Sequence, residues 1–255
     1  MSTILDIFNA IDYFSPFNTQ EDWDNSGLLI GDKSAPVNTA VLALDITNAV
    51  ITEAVNLKAS VIITHHPVIF SPLKQILSDS LVYRLISENI AVVCAHTNLD
   101  KSKFGINSHL AELLNLNAIS PLTFSSDNTP SIGLVGSLPS ALSVEDFSLH
   151  VKKSLNLPYI RLASASNTIS KVAVCSGGGG NLLTYAIKSG ADAFVTGDVK
   201  LDVILNALHN NITLVDAGHF GTENIIIKPL AEKLSSMLPD VTFITANVND
   251  PVTLV

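Results

Sequence analysis

Two stretches of this chain are written twice. Ala59-Ser-Val-Ile-Ile-Thr64 is echoed by Ala191-Asp-Ala-Phe-Val-Thr196, and Asn89-Ile-Ala-Val-Val-Cys-Ala-His96 by Asn211-Ile-Thr-Leu-Val-Asp-Ala-Gly-His219, with one residue inserted. Both members of the first pair follow a strand-helix unit of similar length, beginning near Val41 and Val172. Short apolar runs alternating with helical segments are a βαβ pattern, which demands a parallel sheet with right-handed crossovers. The repetition therefore predicts an α/β fold: two similar α/β domains from a diverged internal duplication, with corresponding strand ends facing one cleft. Ligands of open α/β sheets bind beyond the carboxyl ends of the strands, so the chemistry is expected there.

The strand ends carry the residues that such chemistry needs. His65 and His66 follow the apolar run Val61-Ile-Ile-Thr64, and two further histidines are each followed by an acid four residues on: His96-Thr-Asn-Leu-Asp100 and His219-Phe-Gly-Thr-Glu223. Imidazoles and carboxylates clustered in this way are a ligand shell for transition metals, and six candidates suit two ions better than one. Adjacent residues of an extended chain point to opposite sides, and Pro67 keeps His66 out of the helical region, so His65 and His66 are expected to diverge and serve different ions. Residues at i and i+4 share a helix face, which lets His219 and Glu223 converge, as His96 and Asp100 can. A carboxylate can bridge, so Glu223 or Asp100 is suited to two ions about 3.5–4 Å apart. A lone histidine is ordinarily a core or surface residue, the reading for His109, His150 and His209.

The 255 residues, 47% hydrophobic, are enough for one large core or two smaller ones. A net charge of −9 without a basic stripe argues against a phosphate-backbone interface, so nucleic acid is not an expected partner. No Lys or Arg precedes Lys33, as a secretory leader would require, and no apolar run reaches membrane-span length. Cys94 and Cys175 lie inside apolar runs and read as buried, reduced thiols. These features predict a cytoplasmic protein that does not contact membranes.

Local signals fill in the rest. Ser2 or Thr3 caps a helix carrying Ile4, Ile7, Phe8 and Ile11 at helical spacing, and Thr47 caps a helix through Leu57. Residues 120–143, rich in Ser, Pro, Gly and Asn, read as a hinge with one short strand near Ile132 to Val135. Ser143-Val-Glu-Asp146 starts a helix in the manner of a capping box, and Pro229 either places a helix start near Lys228 or kinks it.

The set His65-His66-Pro67, Ala95-His-Thr-Asn-Leu-Asp100, Gly218-His-Phe-Gly-Thr-Glu223 and Asp24-Asn-Ser-Gly-Leu28 resembles the NIF-three-like family, also called GTP cyclohydrolase 1 type 2 homologues. The match covers nearly the whole chain. The resemblance implies one domain inserted in the other, drawn here as residues 1–125 with 214–255 and an inserted 126–213. It implies a homohexamer and a dinuclear site whose ligands are His65, His66, Asp100, His219 and Glu223, with Glu223 the bridge. His96 occupies a motif position as ligand or as a residue behind the ligands. The chain departs from many members in reading Thr196-Gly-Asp-Val-Lys-Leu-Asp202, with Asp202 near a place those members give to histidine.

Other positions admit two readings. Gly177 to Gly180 follows a strand and precedes a helical segment, where backbone N–H groups can cradle a phosphate or simply make a tight turn. Asp45 either meets the metal cleft or stabilises the helix after it; Asp24 and Asn25 line the site or shape a turn; Trp23 reads as packing. The leading functional reading is a hydrolase with two divalent ions (Zn, Mn, Fe or Co) acting on a small phosphorylated or nucleotide-like molecule, with His96 as general acid or base. The other is a non-catalytic metal-binding adaptor, whose coordination shell would be closed.

Overall fold

The computed structural model describes residues 1–124, 131–165 and 168–253. The chain divides into two compact units, Met1–Phe104 with Ile226–Val255, and Gly105–Ile225. The first begins with α1 (Ile4–Phe14), started by Thr3, whose hydroxyl accepts from the Asp6 N–H while the Asp6 carboxylate accepts from the Thr3 N–H. This reciprocal pairing satisfies donors that a helix start leaves open. It continues through β1 (Gly27–Ile30), β2 (Thr39–Ala43), α2 (Asn48–Asn56), β3 (Val61–Thr64), α3 (Leu81–Ser87), β4 (Ala91–Cys94) and α4 (Thr97–Lys101). Thr47 caps α2 as its sequence predicts.

The second unit contains α5 (Ile106–Leu113), β5 (Asn117–Pro121), β6 (Leu134–Ser143), α6 (Val144–Ser154), β7 (Arg161–Ala163), β8 (Thr168–Val174), α7 (Leu183–Lys188), β9 (Ala193–Thr196), α8 (Leu201–His209), β10 (Thr213–Asp216) and α9 (His219–Glu223). The chain then returns to the first unit with α10 (Ile227–Met237) and β11 (Thr242–Thr245). Pro229 falls in the first turn of α10, where its missing N–H costs no helical bond.

The duplication is explicit in the strand order. The first sheet runs β1-β4-β3-β2-β11 and the second β5-β6-β8-β9-β10-β7. In each, three parallel strands (β2, β3, β4 and β8, β9, β10) end against one antiparallel strand that precedes them in the chain, β1 or β7. The two units are thus similar α/β domains. The inserted unit takes in α5, β5, β10 and α9 as well as the residues at 126–213, because α5 and β5 lie on the same sheet as β6 and β8.

The hinge reading of residues 120–143 gives way to a strand pair. β5 and β6 are antiparallel, β6 continues onto β8, and residues 125–130 of this stretch lie outside the described residues. Leu134, Val135, Leu138 and Leu142 supply the apolar content that Ser and Gly obscured. Pro139, which has no N–H to donate, sits where the β6–β8 register shifts between Ser137 and Leu142.

Both faces of the second sheet are covered. Val172, Val174 and Val195 pack with Phe147, Val151 and Leu110 on one side; Ala173, Phe194 and Leu214 pack with Leu183, Ala186 and Ala207 on the other. Burial on both faces explains why these strands read as continuous apolar runs. In the first unit Val41, Ala43, Ile62 and Val92 pack with Val50, Ile51 and Leu85. Among the described residues no helix is long and apolar enough to cross a membrane.

One consequence concerns the join between β6 and α6. The Ser143 hydroxyl accepts from the Asp146 N–H at 3.0 Å and donates to the Asp146 carboxylate at 2.9 Å. Ser143→Ala should destabilise the protein by about 1 kcal/mol and Ser143→Asn much less, as read by urea denaturation. Equal stability of Ser143→Ala and the parent would show that this cap is idle.

Candidate metal centre

The end of β3 delivers His65 and His66, the end of β4 delivers His96, and one turn of α4 brings Asp100 back towards them. Ligand atoms of His65, His66 and His96 all lie within 4.8 Å of one another. The His65 ring is 4.9 Å from that of His66 and 5.0 Å from that of His96, and Asp100 Oδ1 is 3.8 Å from His65 Nε2. The His65 and His66 ring planes are inclined by 46° to each other. β3 ends at Thr64, so strict alternation no longer governs the two residues beyond it, and their rings can address one ion together with His96.

In the second unit His219 and Glu223 form the first and last residues of α9, and the i, i+4 geometry puts His219 Nε2 3.1 Å from Glu223 Oε2. Gly177 makes room for this carboxylate. Its φ is +61°, and a Cβ there would come within 2.1 Å of Glu223 Oε1 and 3.1 Å of His219 Nε2. The glycine loop is a tight turn. The N–H groups of Ser176, Gly177 and Gly179 donate to Asn107, Thr222 and Thr196 and are thus committed within the protein.

All four histidines share one electronic preparation. Nδ1 of His65 lies 2.9 Å from the Ala95 carbonyl oxygen, that of His66 2.8 Å from Asp45, that of His96 2.7 Å from Asp24 and that of His219 2.7 Å from Asp198. An oxygen acceptor holds the proton on Nδ1 and leaves Nε2 as the coordinating nitrogen. Metal-ligating histidines are habitually oriented in this way, and the donor set fits divalent ions of borderline character. His109 and His150 instead meet Glu112 and the Leu114 carbonyl, in keeping with structural roles.

Asp24 is the most enclosed of the three carboxylate acceptors, its side chain fully buried. Burial pushes its carboxyl upward, but hydrogen bonds from His96 and Thr97 outweigh that and hold it well below the ordinary carboxylate range. Asp45 and Asp24 thus orient histidines, and Asn25 ties its loop to the Ile69 carbonyl at 2.6 Å. Asp202 sits in the first turn of α8, where an acid suits the helix dipole. Asp198 escaped sequence reasoning as a histidine partner. The signal was present, because Thr196-Gly-Asp198 stands in the repeat where Thr64-His-His66 stands in the first copy.

Comparison with known proteins agrees with the fold and the motifs. The family model Duf34/NIF3 (NGG1p interacting factor 3) matches residues 2–251. A Campylobacter jejuni protein called GTP cyclohydrolase 1 type 2 homolog is 36% identical over 249 residues, 96% of each chain. The crystal structure of a hypothetical protein from Staphylococcus aureus superposes with a TM-score of 0.91 at 28% identity, covering 99% of both chains. A Bacillus cereus protein related to NIF3 gives 0.93 at 23% identity, covering 100% of this chain and 99% of its own, a likeness of fold.

Hydrogen bonding to Glu223 is the main cause that raises the His219 pKa from 6.5 to about 9; burial opposes it and Asp198 adds to it. A raised pKa in the folded state stabilises the metal-free protein fully below about 6.5, and the contribution fades as pH rises through about 9. In metal-free protein, long-range 1H–15N spectra should show His219 titrating near pH 9, and Glu223→Gln should move the midpoint towards 6.5. A parent midpoint already near 6.5 would contradict this geometry.

Proposed function

We propose that this chain, which belongs to the Duf34/NIF3 family, binds up to two divalent ions and uses them to hydrolyse a small phosphorylated or nucleotide-like molecule. One ion is assigned to His65, His66, His96 and Asp100, and a second to His219 and Glu223. The observation that carries this reading is the shared preparation of the four imidazoles, each with Nδ1 held by an oxygen acceptor. Zn, Mn, Fe and Co suit an imidazole-rich shell better than Ca.

Each side chain has a definite task in this reading. Asp100 and Glu223 supply the anionic charge that offsets a divalent ion. Asp24, Asp45 and Asp198 fix ring orientation and raise the basicity of the ligating nitrogen. His96, considered from sequence as an acid or base, is assigned to the ligands because Nδ1 is committed to Asp24 and the ring belongs to the three-histidine group. A bound ion supplies Lewis acidity that polarises the electrophile and lowers the pKa of a water molecule to near neutrality. The name carried by the Campylobacter relative points to a purine nucleotide as the first substrate to try.

The family resemblance also implies a homohexamer. α8 leaves Leu201, Leu205 and Leu208 exposed at i, i+4 and i+7, an apolar stripe that self-association would bury.

Reconstituted protein should contain up to two ions per chain by elemental analysis, and His65→Ala, His66→Ala or His96→Ala should each lower the content by about one. Hydrolysis of nucleoside triphosphates should disappear with chelation and return with metal. Only trace metal after reconstitution would overturn the proposal, and a full metal complement without turnover on phosphoesters and nucleotides would favour the adaptor reading. Light scattering should give six chains, and Leu201→Glu with Leu205→Glu should dissociate them; a parent monomer would contradict the assembly.

A further inference from the structure

Beside the three-histidine group stand two large aromatic rings that the fold leaves uncovered. Trp23 is 57% exposed and Phe70 52% exposed, although each adjoins strongly anchored backbone. On the Trp23 side, Asp24 receives hydrogen bonds from His96 and Thr97, the Glu21 N–H donates to Thr97, and the Ser26 N–H donates to Gln20. On the Phe70 side, the Ile69 carbonyl accepts from the Asn25 side chain at 2.6 Å, which fastens the two segments to each other. The segments that carry the rings are therefore fastened, while the rings themselves stay about half exposed. Their centroids are 5.9 Å apart with planes inclined by 43°, so neither ring covers the face of the other. The indole meets His96 edge-on at 6.0 Å.

We infer that Trp23 and Phe70 form a stacking subsite for a planar heteroaromatic ring, placing that ring beside the His65–His66–His96 group. An exposed indole on a fixed backbone gives stacking energy at little entropic cost, and a ring bound there gains affinity without relying on charge. This suits a site crowded with acids. A second copy of the chain is the poorer occupant, since a protein surface docked on these rings would close off the histidines behind them. The inference names the substrate class for the proposed hydrolase and rests on that reading for what happens to the ring once bound. The binding itself does not require turnover.

Trp23 is the sole tryptophan of the chain, so its fluorescence reports on this subsite alone. Guanosine 5′-monophosphate should quench it saturably, while ribose 5-phosphate, which has the sugar phosphate but no ring, should not. By calorimetry, Trp23→Ala should weaken guanosine 5′-monophosphate binding about tenfold or more, Trp23→Phe should retain most of it, and Phe70→Ala should fall between. Metal content of Trp23→Ala, measured separately, should equal that of the parent, which distinguishes failure of the subsite from failure of the metal reading. Equal quenching by both probes, or unchanged nucleotide affinity in Trp23→Ala, would overturn the inference. So would a Trp23→Ala protein that loses its assembly state while keeping parental nucleotide affinity, because the rings would then belong to an interface between copies.

Discussion

The hydrogen bond on Nδ1 is the constraint around which the candidate site is built. An imidazole that can choose its tautomer, and rotate, is a poor ligand; one whose Nδ1 proton is held by an oxygen presents Nε2 in a fixed direction. His65 takes that constraint from the Ala95 carbonyl, and His66, His96 and His219 take it from Asp45, Asp24 and Asp198. The cost of keeping a carboxylate such as Asp24 buried is offset by the number of donors it receives, from His96, Thr97, Ser26 and Asn25. The acid shapes the turn before β1 and sets the ring at the end of β4.

The duplicated topology explains where these groups come from. Each unit ends its middle parallel strand in a short polar segment and its next strand in a histidine that opens a short helix: Thr64-His-His66 and His96, then Thr196-Gly-Asp198 and His219. Divergence has changed which residue does what. The place that holds a histidine in the first copy, His66, holds the orienting carboxylate Asp198 in the second, and in both copies an acid four residues after the later histidine returns along the helix. The second unit also carries a constraint of its own, because the Glu223 carboxylate occupies the space where any side chain at position 177 would begin.

Much of this was legible in the sequence because the signals are local and periodic. The repeat gave the parallel βαβ plan of each half, Thr3, Thr47 and Ser143 marked helix starts through their cap chemistry, and the spacing of His219 and Glu223 survived as a true helical turn. What failed depended on tertiary context. The β5–β6 pair hid in a Ser- and Gly-rich stretch because its stability comes from pairing with β8 and not from its own composition. The partners that fix the glycine loop, Thr222 for the Gly177 N–H and Thr196 for the Gly179 N–H, lie far away in sequence.

The claim at the centre of this account is that carboxylates behind the rings make the rings into ligands. Asp45 tests it most cleanly, since it is half exposed and its carboxylate lies 2.8 Å from His66 Nδ1. Calorimetric titration of metal-free protein with Zn, comparing the parent with Asp45→Ala, should show affinity at the three-histidine set falling by about 10- to 100-fold. An Asp45→Ala protein that folds normally and binds Zn with parental affinity would contradict the account.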